Sequence, residues 1–230
     1  LKLMNYIHFD SIDSTNKYVK NHYEMLENFS FVSASFQTNG KGRNDRIWLA
    51  ESNQNLLFSF LIKDEKLLAK FKSISIGTAT LIARFLELKG IKNVSVKWPN
   101  DVYVNNKKIC GILLEGNVEK YLVIGVGLNV NQTIFEGEYR ITPTSMKNEL
   151  NKTFSLDELK NELFPFIYKH VNQTGFESNT FRFLNTHNYL ENKKVEINKI
   201  SGVVTGFARD FSLIIDGKNI NSGEITIIGD

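Results

Sequence analysis

Val94-Ser95-Val96-Lys97-Trp98-Pro99-Asn100-Asp101-Val102-Tyr103-Val104-Asn105-Asn106-Lys107-Lys108-Ile109-Cys110-Gly111-Ile112-Leu113 reads as three short strands in quick order. Val94 to Trp98 is the first. Pro99 keeps Trp98 extended and stiffens the turn that follows. Asp101 to Val104 is the second strand, and Asn105-Asn106 makes a tight turn into the third, Lys108 to Glu115. This meander places Lys97, Asn100 and Asp101 at one strand end and returns Lys108 and Gly111 beside them. Cations, an amide, a carboxylate and a patch of bare backbone are thereby gathered in one small volume. Strict alternation sends Lys108 and Gly111 to opposite faces. If both meet one ligand, the strand must bulge or twist between them.

Outward from the meander, strands and helices are mixed. Tyr6 to Phe9 reads as a short strand. Ser11-Ile12-Asp13-Ser14-Thr15-Asn16 is rich in helix-capping side chains, ahead of an amphipathic helix over Lys17 to Glu27. Phe31 to Phe36 and Leu56 to Ile62 read as strands. Between them, Thr38 to Asn55 is a long, polar, glycine-bearing and charged loop, a kind that in compact domains is usually functional or disordered. Lys70 to Lys89 carries Ile74, Ala79, Ile82, Phe85 and Leu86 at helical spacing, with Gly90 as a stop. Tyr121 to Asn129 is another apolar strand, and Leu156 to Val171 and Gly175 to Leu190 are helices. From Lys193 the texture changes to short strands over Val195 to Ile197, Gly202 to Phe207, Phe211 to Ile215 and Glu224 to Ile228. The expected fold is α+β: a mixed central sheet flanked by helices over 1–190, and a small β-barrel over 191–230.

The 230 residues, 42% hydrophobic and 12% aromatic, suffice for one large domain with a proper core and one small one. A net charge of +3 lacks the dense basic stripe of a dedicated nucleic-acid binder. The single cysteine, Cys110, rules out a disulfide framework within the chain and fits a reducing compartment. It reads as a small buried hydrophobe. Leu1 to Asp10 has no apolar signal core, and no apolar run approaches the ~18 residues of a membrane span, so a cytoplasmic location is expected. His8, His22, His170 and His187 are scattered without metal-ligand spacing, and a Gly-x-Ser-x-Gly elbow is absent.

Four further elements carry chemistry, each with a plainer alternative. In Gln37-Thr38-Asn39-Gly40-Lys41-Gly42-Arg43-Asn44-Asp45-Arg46-Ile47-Trp48, two glycines admit an anion to backbone N–H groups, three cations match phosphate oxygens, and Trp48 offers a stacking surface. It is neither a dinucleotide fingerprint nor a P-loop, and a solvated basic loop is the alternative. Asp101 suits Mg²⁺, which takes one or two carboxylates plus phosphate oxygens; the alternative is a capped strand end. Gly125-Val126-Gly127-Leu128-Asn129 permits close ligand approach or simply ends a strand. Ser14-Thr15-Asn16 caps a helix, and its spare polar groups can also meet a polar head group.

Taken together these motifs resemble the biotin protein ligases. The family's Gly-Arg-Gly-Arg-x-Gly-Arg-x-Trp is similar to Gly40 through Trp48. Its Lys-Trp-Pro-Asn-Asp stands intact at 97–101, its Lys-x-x-Gly-Ile-Leu at 108–113 and its Gly-x-Gly-x-Asn at 125–129. Ser14-Thr15-Asn16 and Gln37 also match, and the β-rich tail with Glu224 resembles the family's SH3-like C-terminal domain. Two positions depart: Lys41 replaces an arginine, losing its bidentate fork, and Asp45 replaces a glycine, setting an anion near phosphates. Some members carry an N-terminal helix-turn-helix; with a strand at Tyr6, the form without it is expected.

The resemblance implies an ATP-dependent, AMP-forming ligase acting on biotin and on a biotin carboxyl carrier domain, with Mg²⁺ as cofactor. Lys108, Arg43 and Asp101 are its expected catalytic residues. Ser14, Thr15, Asn16, Gln37, Gly40, Lys41, Lys108 and Gly111 would meet biotin. Arg43, Arg46, Trp48, Lys97, Asn100, Lys108 and Asn129 would meet ATP, and Asp101 and Asn129 the metal. No DNA or membrane partner is implied, and homodimers through an exposed edge strand occur in the family. Three other readings remain: a lipoate or octanoyl transferase of the same broad fold, a non-catalytic nucleotide-binding module and, weaker, an RNA-binding module.

Overall fold

The strand whose every residue is buried, β3 (Asn55–Ile62), lies inside a seven-stranded sheet, and the half-exposed β1 (Tyr6–Ile12) forms one edge. The other strands are β2 (Phe31–Gln37), β4 (Val94–Lys97), β5 (Asp101–Val104), β6 (Lys107–Asn117) and β7 (Tyr121–Asn129), in the order β1-β2-β3-β7-β6-β5-β4. β1 runs parallel to β2 and the remaining pairs are antiparallel, so the sheet is mixed. This computed structural model describes residues 5–137, 139 and 141–228.

Helices cover one face fully. α3 (Phe71–Leu88) lies over β4, β5 and β6, and α5 (Leu156–Val171) lies over β3. Phe164 of α5 stacks on Phe31 at 4.5 Å between ring centres and meets Phe58 at 4.8 Å. Gly77 of α3 admits the ring of Phe176, which opens α6 (Phe176–His187). The opposite face is covered only in part. There α1 (Thr15–His22) buries Val19 against Val32, Leu61 and Val123. Beyond its N-terminus the sheet carries glycines instead of side chains, and this asymmetry leaves a cleft.

The last strands, β8 (Lys194–Ile197), β9 (Ile200–Phe207), β10 (Leu213–Ile215), β11 (Lys218–Ile220) and β12 (Thr226–Ile227), form an antiparallel sheet in the order β11-β10-β9-β8-β12. Its ladder ends on β11 and β12, so the expected barrel is met as a five-stranded sheet. Val195, Ile197, Val204 and Leu213 share one core with the α3 side of the large sheet. Trp98 ties the two sheets directly: its indole Nε1 donates to the Phe211 carbonyl at 2.9 Å.

Several boundaries differ from the sequence expectation. α1 stops at His22 because the Lys63 ammonium takes the carbonyls of Tyr23 and Leu26 at 3.1 and 2.7 Å. α6 stops at His187 because Asn188 bridges to Val96 and Tyr189 donates to its carbonyl, extending the β4 edge. Two short helices, α2 (Glu65–Leu68) and α4 (Met146–Leu150), and strand β11 were not foreseen. Among the described residues no helix is long and apolar enough to cross a membrane.

Trp98→Phe keeps the ring packing and leaves the buried Phe211 carbonyl without its donor. It should cost about 1–3 kcal/mol, read as a lower urea midpoint at unchanged slope.

Candidate functional site

The β5–β6 ladder pairs Asp101 with Gly111 and Val102 with Cys110, but then Tyr103 with Lys108. Ile109 is the extra residue, and its side chain turns into the core. This is the irregularity expected from the sequence if Lys108 and Gly111 were to meet one ligand, and it brings Lys108 onto the face of Gly111. A Cβ built on Gly111 would stand 3.3 Å from the Lys108 Nζ. That Nζ lies 2.9 Å from Asp101 Oδ1. Oδ1 is buried without an aligned hydrogen bond, so the contact is ionic. Beyond the end of β7, the Lys108 backbone is clamped by a second segment: its N–H donates to the Thr142 carbonyl at 3.0 Å, and the Thr144 N–H donates to its carbonyl at 2.9 Å.

A cleft of about 530 Å³ opens over this point. Gly111 and Gly127 are cross-strand partners on its floor, and the Trp48 ring lies on both. Cβ atoms there would come within 2.8 and 2.5 Å of the indole. Gly125 differs: the space its missing Cβ leaves is filled by the Asn16 amide. Both gaps read as room for a ligand thus receive protein groups.

Trp48 arrives on a flap folded as a small hairpin. Lys41 bridges to Ile47, the Trp48 N–H donates to the Gly40 carbonyl at 2.9 Å, and a 3₁₀ turn spans Arg43–Asp45. The side chain of Asp45 lies outside the described residues. Arg43 donates to Asn100 Oδ1 at 3.4 Å and to the Gly223 carbonyl at 3.2 Å. Arg46 pairs with Glu224, which also accepts from Asn44 at 3.2 Å. The flap is therefore held by the meander on one side and by the chain before β12 on the other.

Ser14, Thr15, Asn16 and Gln37 give the cleft an uncharged polar stretch of wall, with Lys41 of the flap also lining the cleft. Ser14 caps α1 through its hydroxyl. Gln37 Oε1 accepts from the Thr15 N–H at 2.8 Å, leaving its Nε2 as the donor end.

The structure gathers the expected residues with one exception. Ser14, Thr15, Asn16, Gln37, Lys41, Arg43, Arg46, Trp48, Lys97, Asn100, Asp101, Lys108, Gly111 and Asn129 all line the cleft. Gly40 stands behind it, where a Cβ would come within 2.8 Å of the Trp48 carbonyl, so it lets the flap's two legs meet. Asn100 spends its amide N–H on the Ile112 carbonyl at 2.6 Å, and Asn129 spends its own on Thr144 at 2.9 Å. Both brace the frame before they can meet any ligand. Phe135, Tyr139, Ile141 and Pro143 were missed, because the aperiodic segment after β7 gave no signal for them. Burial pushes the Cys110 thiol far up, in keeping with an inert hydrophobe. Among the described residues no group of three or more His, Cys, Asp or Glu could hold a metal ion. One carboxylate beside phosphate oxygens is nevertheless enough for Mg²⁺, and Asp101, which lines the cleft in ionic contact with Lys108, is a carboxylate of the kind that ion takes.

A family model described as the biotin/lipoate A/B protein ligase family matches residues 8–131. The bifunctional ligase/repressor BirA of Escherichia coli (strain K12) is 34% identical over 124 residues, 52% of this chain and 38% of that protein. The biotin–[acetyl-CoA-carboxylase] ligase of Mycobacterium tuberculosis is 33% identical over 104 residues, 43% of this chain and 38% of that protein. The match thus spans about two fifths of these relatives' length. The solved biotin protein ligase from Aquifex aeolicus in complex with biotin and ATP superposes with a TM-score of 0.82 at 27% identity, covering 96% of this chain and 97% of that one.

Gly127→Ala puts a methyl group where the Trp48 ring rests. In a Trp98→Phe background the remaining emission should shift to longer wavelength as the indole lifts into water; an unmoved spectrum would contradict the packing.

Proposed function

The chain belongs to the biotin/lipoate A/B protein ligase family, and we propose that it activates biotin with ATP and transfers the biotinyl group to a lysine of a biotin carboxyl carrier domain. One observation carries the reading: Lys108, Asp101 and the arginine-bearing flap share a cleft that is also walled by the uncharged polar groups of Ser14, Thr15 and Gln37. A long acid with a polar head and an anionic tail fits that combination, with its tail delivered to the cations.

In the first step a biotin carboxylate oxygen bonds to the α-phosphorus of ATP and the bond to pyrophosphate breaks, giving biotinyl-5′-AMP. In the second, the carrier's neutral lysine amine bonds to the biotinyl carbonyl carbon, a proton leaves the nitrogen, and AMP departs. The barrier to the first step is the approach of two anions. Lys108 bridges carboxylate and α-phosphate, and because the bulge and the Thr142–Thr144 clamp fix its backbone, little reorganisation is needed. Arg43 and Arg46 neutralise the remaining phosphate charge, exchanging Gly223 and Glu224 for phosphate oxygens. Trp48 covers the nucleotide base as the flap orders around the adenylate and excludes water. Lys97, Asn100 and Asn129 line the nucleotide end. Ser14, Thr15, Asn16, Gln37 and Lys41 hold the biotin head, and Gly111 gives its tail room once the Trp48 ring that lies on it moves to the base. Asp101 and the oxygen of Asn129 would hold Mg²⁺, which draws charge from the phosphates when bound.

The same reading divides the chain into a catalytic domain over 1–190 and a small C-terminal domain over 191–230, places it in the cytoplasm and allows a homodimer along the exposed edge of β1.

Lys108→Ala should lower biotin-dependent pyrophosphate exchange by about 10²–10³-fold, as for loss of one fixed donor to developing charge. Exchange at the wild-type rate would remove Lys108 from the mechanism. Biotin with ATP and Mg²⁺ should raise the melting temperature more than either substrate alone; a shift with lipoate and none with biotin would replace this reading by a lipoate ligase.

A further inference from the structure

From the cleft wall a chain of buried and part-buried hydrogen bonds runs back to Ser59 and Glu115, two residues that no step above uses. Glu115, on β6 outside the cleft, accepts from the Lys20 ammonium at 2.8 Å and from Asn16 Nδ2 at 2.8 Å. A carboxylate takes only donors, so the amide of Asn16 has one sense: nitrogen toward Glu115, oxygen inward. A weaker contact from Nδ2 to the Leu113 carbonyl at 3.4 Å agrees with it. Asn16 Oδ1 then accepts from Ser59 Oγ at 2.6 Å. Thr15 Oγ1 lies 2.7 Å from Ser59 Oγ and 3.0 Å from Gln37 Oε1.

Counting protons settles what reaches the cleft. The three oxygen–oxygen contacts share two hydroxyl protons. The Ser59 proton belongs to Asn16, so the Thr15 proton is spent on Ser59 or Gln37, and none is left for a ligand. Thr15 therefore offers lone pairs, while Gln37, its oxygen held by the Thr15 N–H, offers its amide donor. Acceptor beside donor is the complement of a cyclic urea, with its N–H and C=O side by side. If Asn16 turned over, its nitrogen would feed Ser59 and Ser59 would feed Thr15, so that Thr15 would lose a lone pair to Ser59 and its own proton would turn to Gln37 Oε1 or to the ligand.

We propose that Glu115 is a positioning residue: through Asn16, Ser59 and Thr15 it fixes the donor and acceptor sense of the cleft wall and so selects the ureido ring. This rests on the biotin reading above. Glu115 remains an acceptor because, although burial opposes its charge, hydrogen bonds from Lys20 and Asn16 and the nearby Lys20 and Lys41 charges bring its carboxyl below the ordinary range.

Glu115→Gln tests the idea, because Lys20 has only donors. Lys20 will claim the new amide oxygen and turn the NH₂ toward Asn16, which must then invert. Biotin affinity measured by calorimetry should fall about tenfold, the scale of one buried hydrogen bond, with ATP affinity unchanged. Adding Lys20→Met frees the glutamine to turn its oxygen to Asn16, so the double variant should regain biotin binding. Removing a second side chain would not repair a loss of mere packing. Unchanged affinity in Glu115→Gln, equal loss for biotin and ATP, or a folded double variant without recovery would each overturn the proposal. If the single variant does not fold, the double variant decides alone. A wild-type chain that binds no biotin would instead overturn the functional reading beneath it.

Discussion

A single extra residue in β6, opposite β5, is the constraint on which the site depends. Without Ile109 bulged into the core, Lys108 and Gly111 would face opposite sides of the sheet, and the lysine would have no view of the cleft. The bulge turns a sheet into a seat, with an ammonium, a carboxylate and bare backbone within a few ångströms. The Lys108–Asp101 pair need not add much stability, since desolvation offsets most of the attraction in such partly buried pairs. Its effect is placement: the ammonium is held ready before an anion arrives.

The flap works on a different energy scale. Arg46 and Glu224 are both exposed, with side chains 57% and 39% accessible, and such a pair contributes about 0–1 kcal/mol. An incoming phosphate can displace that contact at little cost, whereas the meander beneath is braced by the Asn100 amide and the buried Trp98 indole and offers no such exchange. Fixed cations below and exchangeable ones above suit a site that closes over an anionic ligand and later releases it.

Much of this was legible in the chain itself. The three-strand meander and the helix over 156–171 follow from alternation and period, and a bulge or twist between Lys108 and Gly111 was expected on the condition that both meet one ligand. The short helices α2 and α4 were hidden because four or five residues give no period to read. Gly125 and Gly127 were legible as gaps but not as to what fills them, since Asn16 and Trp48 arrive from distant parts of the chain. Ser59 and Glu115 were invisible for the same reason: mid-strand polar residues show no local pattern, and their partner Asn16 is 43 and 99 residues away. The joining of the flap to Gly223 and Glu224 had no local signal either.

That last connection has a consequence for the order of synthesis. Arg43 and the carbonyl that anchors it lie 180 residues apart, about 10–40 s of translation at ordinary ribosome speeds. While still tethered to the ribosome, the nascent sheet can form its glycine floor but has nothing to fasten the lid. The anchor of the flap is therefore made long after the floor over which the flap closes.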